Sequence, residues 1–406
     1  MYAKHTASQP RLLLTGAALI LAAAATACSA PQTPPAKDAA KAAAQRADTR
    51  ADKPAAPVKK GFTLLGTGDI LPHGSIIEQA QADAGGDGYE FGQMLSGVKS
   101  VVERADIAIC HMETVYGGPD GPYTGYPSFK SPPQVARGVA ATGYDSCSTA
   151  SNHTLDAGTD GIRWTLDAMD KAGLKHTGSA RTAAEGRKPA VLRAGNATVA
   201  QLAYTYGTNG YPIPEGRPWA VNLIRPQQII ADARKARRDG ADVVVISLHW
   251  GSEWEEAPDA MQLRVAKQLT ASRTNGRPDI DLILGTHAHV PQPYEKVNGT
   301  WVVYGMGDQI AGRMINHDNE HDPRGNWGTI ARFTFAPPAR PGQRWPVTKA
   351  EFLPQLMDHE VAGSPRVVSL AAAAGDGPAR YAELRDRIAG IALSRGAAKD
   401  GLVMGR

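Results

Sequence analysis

Cysteine is scarce: Cys28, Cys110 and Cys147 are the only three in 406 residues, and no Cys-x-x-Cys pair occurs. A disulfide-stapled scaffold and a thiolate zinc site are thereby excluded. No apolar run reaches the about 20 residues that a membrane-crossing helix requires. There is no Walker loop, no dinucleotide fingerprint and no nucleophile elbow, so those reaction classes drop out. No repeat of solenoid length is present. An excess of positive charge is also lacking beyond the N-terminus. Residues 1–60 hold nine Lys/Arg against three acids, so with +4 overall the remaining chain is net −2. The folded part therefore offers no electrostatic basis for nucleic-acid binding.

The N-terminus has the layout of an export signal. Lys4 and Arg11 precede an apolar run from Leu12 to Ala25, and the small residues Ala25, Thr26 and Ala27 lead into Cys28. A lone cysteine at that point resembles a bacterial lipoprotein signal, in which the thiol is lipidated, although Ala25 stands where leucine is commonest. The expected location is the extracytoplasmic face of the cell membrane, held by a lipid, or the medium if the signal is simply cleaved. Residues 29–60 are Ala, Pro, Lys, Arg and Asp, with almost no large apolar side chain. Such a segment buries too little surface to offset its entropy and reads as a solvated linker.

From Gly61 short apolar runs alternate with amphipathic stretches. Strands are expected at Phe62–Leu65, Asp106–Cys110, Tyr144–Ser148, Thr198–Tyr204, Asp242–Leu248, Asp281–Leu284 and Trp301–Tyr304. Helical spacing covers Val98–Arg104, Pro133–Ala141, Gly161–Ala172, Pro226–Asp239 and Asp259–Ser272. Strands separated by helices of that length indicate an α/β domain with sheets buried between helices. Val191–Tyr204 turns about Gly195 and Asn196 like a hairpin. Beyond Leu353 the signals weaken to a terminal helix or two. The expected layout is signal 1–28, linker 29–60, a catalytic-type domain 61–355 and a helical extension 356–406.

Polar residues fall where the strands end. Gly66-Thr67-Gly68-Asp69, His111-Met112-Glu113, Ser151-Asn152-His153 with Asp156, His249-Trp250-Gly251 and Gly285-Thr286-His287-Ala288-His289 each follow an expected strand. Ligands of open α/β sheets bind beyond the strands' carboxyl ends, so five such clusters converge on one cleft. Mixed imidazoles and carboxylates suit Zn, Mn or Fe, and two ions about 3.5–4 Å apart would clamp a phosphate.

The segments GDILPHG, ADIAICHMET, FKSPP, SNHTLDAGTDGIRWTLDAMDKAGLKHTGSAR, VVVISLHWGSEWEEAP, LILGTHAHVPQPYE and VVYGMGD resemble the CapA proteins. These are named for synthesis or anchoring of poly-γ-glutamate capsule and share the calcineurin-like metallophosphoesterase fold, a β-sheet sandwich flanked by helices. The resemblance covers roughly residues 61–310. It implies that Asp69, Glu113, Asn152, His153, His249, His287 and His289 surround one or two divalent ions, with Asp69, Asn152 and His153 nearest the chemistry. Phosphoesterases of this kind open with Asp-x-His, whereas Ile70 and Leu71 follow Asp69. His73 either compensates or is a loop histidine. His111 stands where asparagine is usual, and Asp308 likewise. Both either alter metal choice and fill a vacancy or are neutral. Lys130 either neutralises a phosphate or polyglutamate carboxylate or is solvated. Together His73, His111, Lys130 and Asp308 are the candidates for substrate contact. Glu253 and Glu255 either orient histidines or face solvent, Asp156 pins the turn after His153, and Cys110 and Cys147 read as buried thiols, between which an oxidising exterior also permits a bond.

Two functions follow from the resemblance. One is an exported, lipid-anchored protein of envelope-polymer synthesis or anchoring, partnered by an anionic polymer and by membrane synthesis subunits. The other is a metal-dependent phosphoesterase acting on phosphorylated small molecules outside the cytoplasm.

Overall fold

The computed structural model describes residues 60–340, 342–360, 363–373 and 377–406. The expected export signal, the expected lipidation site Cys28 and the expected linker up to Lys59 lie outside them. No helix among the described residues is long and apolar enough to cross a membrane.

Two sheets form the body. The first runs β14-β13-β12-β1-β2-β3-β4, from Arg366–Ser369, Val347–Asp358, Trp327–Phe335, Phe62–Leu71, Ile107–Met112, Ser146–Ser148 and Lys175–Thr177. Asp308–Ala311 (β11) joins it beside β1, and Leu402–Met404 (β15) beside β13. The second runs β9-β10-β8-β7-β6-β5, from Tyr294–Val297, Thr300–Val303, Leu282–Thr286, Val243–His249, Ala197–Thr205 and Ala190–Ala194. β1 to β4 are parallel neighbours, as are β6, β7, β8 and β10. β7 shows why: VVVISLH is buried at every position, the pattern of a strand covered on both faces. The expected hairpin is present as the antiparallel pair β5–β6.

The sheets face each other across Phe62, Leu64, Ile109, Val245, Leu284 and Phe333, one apolar cluster drawn from both. Helices cover the outer faces. Gly74–Asp83 (α1), Ser96–Val102 (α2), Gln134–Thr142 (α3) and Gly158–Ala172 (α4) lie over the first sheet, burying residues such as Ile76, Val98, Val139 and Met169. Pro226–Arg238 (α5) and Ala260–Ala271 (α6) cover the second through Ile229, Ala233, Val265 and Leu269. Their ends follow from local chemistry. Asp259 and Gln262 form a capping box at the start of α6, while Pro226 opens α5 and Lys235, Arg237 and Arg238 fill its last turn. The expected α/β sandwich flanked by helices is the observed architecture.

The last fifty residues contain Leu370–Ala373 (α7) and Ala379–Leu393 (α8), and also strands β14 and β15, which extend the first sheet. Of the two states open to the buried cysteines, thiols or a bond, the second is found. Cys110 and Cys147 sit opposite each other in the β2–β3 register and are joined as a disulfide, with Cα atoms 4.5 Å apart. Separate strand assignments carried no register, so this pairing was not visible in them.

Candidate metal centre

Register assembles the centre. Asp69 lies in β1 between His111 of β2 and Asp308 of β11, paired directly with both, at irregularities in each ladder. Gly68 permits this, because its backbone passes the Gly307 carbonyl so closely that an added Cβ would stand 1.7 Å from the oxygen. From the second sheet, His249 ends β7 beside Thr286 of β8. The chain then turns through His287 (φ 93°) and His289 (φ 58°), a left-handed backbone that non-glycine residues rarely adopt. The His287 N–H donates to Asp69 Oδ2 at 3.0 Å, which ties that turn to the other sheet. Strain of this kind collects at functional sites.

The side chains converge. His111 Nε2 and His249 Nδ1 lie 3.5 and 3.7 Å from Asp69 Oδ1. His249 Nε2 and His289 Nε2 lie 3.7 and 4.0 Å from Glu113 Oε1. Three sets, Asp69–His111–His249, Glu113–His287–His289 and Asp69–His289–Asp308, bring ligand atoms within 4.8 Å of one another, all buried. Neighbours fix the imidazoles. Ser148 Oγ meets His111 Nδ1 at 2.7 Å, and Asn152 Oδ1 meets His249 Nε2 at 2.9 Å. Asp308 Oδ1 meets His289 Nδ1 at 2.9 Å. With Nε2 donating to Asn152, His249 Nδ1 is left as an acceptor, 3.1 Å from the Thr286 hydroxyl and 3.7 Å from Asp69 Oδ1. Such outer bonds hold ligating histidines in one tautomer.

A divalent cation fits this set. Asp69 Oδ1, both Glu113 carboxylate oxygens, Asp308 Oδ2, His111 Nε2 and His287 Nδ1 are buried with no hydrogen-bond partner. Leaving that many buried acceptors unsatisfied is costly. The electrostatics agree. Burial, then the Asp308 charge, pushes the Asp69 carboxyl up to about 8. Burial, then Asp69, raises Glu113 well above the usual carboxylate range. Burial pushes His111 down to about 3, and lowers His249 and His287. Burial also lowers His289, but the Asp308 and Glu113 carboxylates outweigh it and raise that imidazole well above its ordinary value. A cation reverses the repulsion among the carboxylates and uses the neutral imidazoles as donors.

The remaining candidates divide. His153 stands outside the three sets. Its Nδ1 lies 2.7 Å from Asp156 Oδ2, which also accepts the Phe129 N–H. Asp156 thus orients His153, in addition to pinning the turn. His73 Nδ1 faces the Leu71 carbonyl and the Gly312 N–H, so His111, rather than His73, comes within reach of Asp69. Lys130 pairs through its backbone with Thr124 and follows Phe129, whose ring lines the cleft. Glu253 Oε1 lies 3.9 Å from His287 Nε2. The cleft, about 350 Å³, opens beside the centre between His73, Phe129, His153, Trp254, His289 and Arg313. Tyr206 escaped the sequence reading. Its ring stands 4.5 Å from His287, and only its place one residue after a strand could have marked it.

Two mixed sheets with a buried carboxylate–imidazole cluster at their strand ends define an α/β protein with side chains placed to hold a divalent ion. The chain belongs to the bacterial capsule synthesis protein PGA_cap family, whose model matches residues 63–313. It is 28% identical to the PGA biosynthesis protein CapA of Bacillus subtilis over 164 residues, 40% of this chain and 41% of that one. Identity to the capsule biosynthesis protein CapA of Bacillus anthracis is 24% over 181 residues, 44% and 42% of the two chains. The matches thus span about two fifths of these relatives. Among solved structures, the calcineurin-like phosphoesterase YfkN of Bacillus subtilis is similar at a TM-score of 0.42 and 15% identity, covering 82% of this chain and 97% of that one.

Proposed function

We propose that the protein is an exported, lipid-anchored component of acidic envelope-polymer assembly or anchoring, of the poly-γ-glutamate type. Its cleft acts through one or two divalent ions, of Mn, Zn or Fe. The observation that carries this reading is the set of buried, unpartnered carboxylate and imidazole atoms from Asp69, His111, Glu113, His287 and Asp308. Those residues with His249 and His289 would hold the ions. When bound, such ions supply charge neutralisation for an anionic group and activation of water. Arg313, at the cleft wall, supplies a cation for the part of an acidic substrate that lies outside the centre. Relatives named for capsule and PGA biosynthesis support the polymer as substrate class, and one named a probable polyglutamine synthesis accessory protein supports association with the synthesis machinery, whose membrane subunits are the proposed partners. The Cys28 thiol is the proposed anchor. Deleting the gene is expected to lower the amount or anchoring of acidic surface polymer. The parent gene should restore it, and Asp69→Asn should not. Cys28→Ala should move the protein from the membrane fraction to the soluble one. Unchanged polymer in the deletion strain would remove this reading.

A second reading, hydrolysis of phosphate esters, is favoured by the His153–Asp156 pair. With Nδ1–H donating to Asp156, His153 presents Nε2 to the cleft, where Asn209 Nδ2 stands 3.5 Å away. An imidazole so held is a base at Nε2: it can take a proton there from an attacking water and then pass that proton to a departing alkoxide. Asp156→Asn is then expected to cut phosphodiester turnover about a hundredfold while metal content stays at the parent level. Loss of metal together with turnover would make Asp156 merely structural.

A further inference from the structure

The second sheet has another charged end. β7 begins at Val243 and finishes at His249, so the far end of the sheet lies about 20 Å from the metal centre at roughly 3.3 Å per residue. There α5 ends, the hairpin of residues 273–278 crosses, and a cavity of about 450 Å³ opens. Its lining includes Arg234, Arg237, Arg238, Arg277 and a single acid, Asp279. Structural pairing accounts for part of this charge. Arg234 Nε meets Asp279 Oδ2 at 2.9 Å, and Arg237 binds the buried Asp281, which Arg344 approaches at 3.5 Å. Those contacts fasten α5 to the start of β8.

They leave two arginines over. Among the described residues the Arg277 guanidinium hydrogen-bonds to carbonyls, those of Asp242 at 2.7 Å and Gly342 at 3.2 Å, and forms no direct ion pair. Its Nε is buried without a partner, and so is the Nε of Arg237. Arg238 is exposed and makes no ion pair among the described residues. Arg273, alongside, donates to the carbonyls of Gly276 and Asn298. Burial, then the neighbouring Arg237, pushes the Arg277 guanidinium down, against the opposing pull of the Asp281 and Asp242 carboxylates. A helix-fastening role explains Arg234, Arg237 and Arg344, and does not require Arg277 or Arg238.

We infer that this cavity is an anion site that takes a chain segment presenting carboxylate or phosphate groups at successive positions, with Arg238 and Arg277 as the engaging residues. The planar guanidinium matches both oxyanions. A cavity of this volume, with cations spread along it, exceeds what a single phosphate fills. The inference is independent of the metal centre.

The test is titration of the full chain, in chelator and at low salt, with a fluorescent decaglutamate, a polyphosphate of matched charge and inorganic phosphate. At least one oligomer should bind, with affinity falling steeply as salt rises. Arg238→Glu and Arg277→Gln should each weaken it about tenfold. Preference for one oligomer identifies the oxyanion, and equal binding still supports a charge-read chain site. Arg238 is exposed, so its variant tests the site even if Arg277→Gln fails to fold. No binding of either oligomer, binding unaffected by Arg238→Glu, or inorganic phosphate binding as tightly as the oligomers would overturn the inference.

Discussion

Asp69→Asn is expected to lower affinity for a divalent ion about a hundredfold or more, since changes merely behind a metal ligand already cost 10–100-fold. Asp69 stands in two of the three ligand sets and faces both His111 and His249 through Oδ1. Asparagine preserves the size and the oxygen that accepts the His287 N–H, and removes the charge. Stability should change in opposite directions with and without metal. In chelator, the variant should melt no lower than the parent, because one of three mutually repelling buried carboxylates has been neutralised. With metal at a thousandfold over the parent's Kd, the parent should gain about 4 kcal/mol by mass action and the variant no more than about 1.4 kcal/mol. Thermal melts of both proteins in chelator and in Mn or Zn check this. Equal metal-induced shifts would show that Asp69 holds no ion.

Gly68→Ala should be the most damaging small substitution. Its Cβ would lie 1.7 Å from the Gly307 oxygen, the same carbonyl that accepts the Asp69 N–H at 3.0 Å. The obstacle is backbone, so no rotamer change relieves it. Gly307 cannot retreat freely, because it has φ 68° and packs against the Trp327 carbonyl. β1 must separate from the Gly307 segment, carrying Asp69 away from Asp308. The expected cost is at least about 4 kcal/mol, with loss of ion retention in whatever folds. Gly74→Ala is the control, since nothing lies within 4 Å of an added Cβ there. Urea midpoints compare them. A Gly68→Ala midpoint equal to the parent's would contradict the close approach.

Much of this was legible in the sequence because the centre is built at the ends of buried strands. Apolar runs announce such strands, and the first polar residues after them announce the site. Asp69, Glu113, His249, His287 and His289 were singled out that way, His111 and Asp308 also by their departure from the family pattern, and the structure brings these seven side chains together. What failed to show depends on pairing. β1 runs on through Gly66–Asp69, where glycines and polar residues break the apolar signal. The Cys110–Cys147 bond, the Ser148–His111 contact and the placing of His111 beside Asp69 all follow from the registers of β1, β2 and β3. The C-terminal strands add to the first sheet through partners far back in the chain, so local patterning gave little sign of them. Asp156 looked like a turn residue because its role as orienter depends on a rotamer of His153.

The most direct measurement is anomalous scattering from crystals of the protein purified without chelator, collected on both sides of the Mn, Fe and Zn edges. The account expects one or two peaks between Asp69, Glu113, His249, His287, His289 and Asp308. Crystals soaked in these metals that scatter anomalously nowhere near those side chains would contradict it.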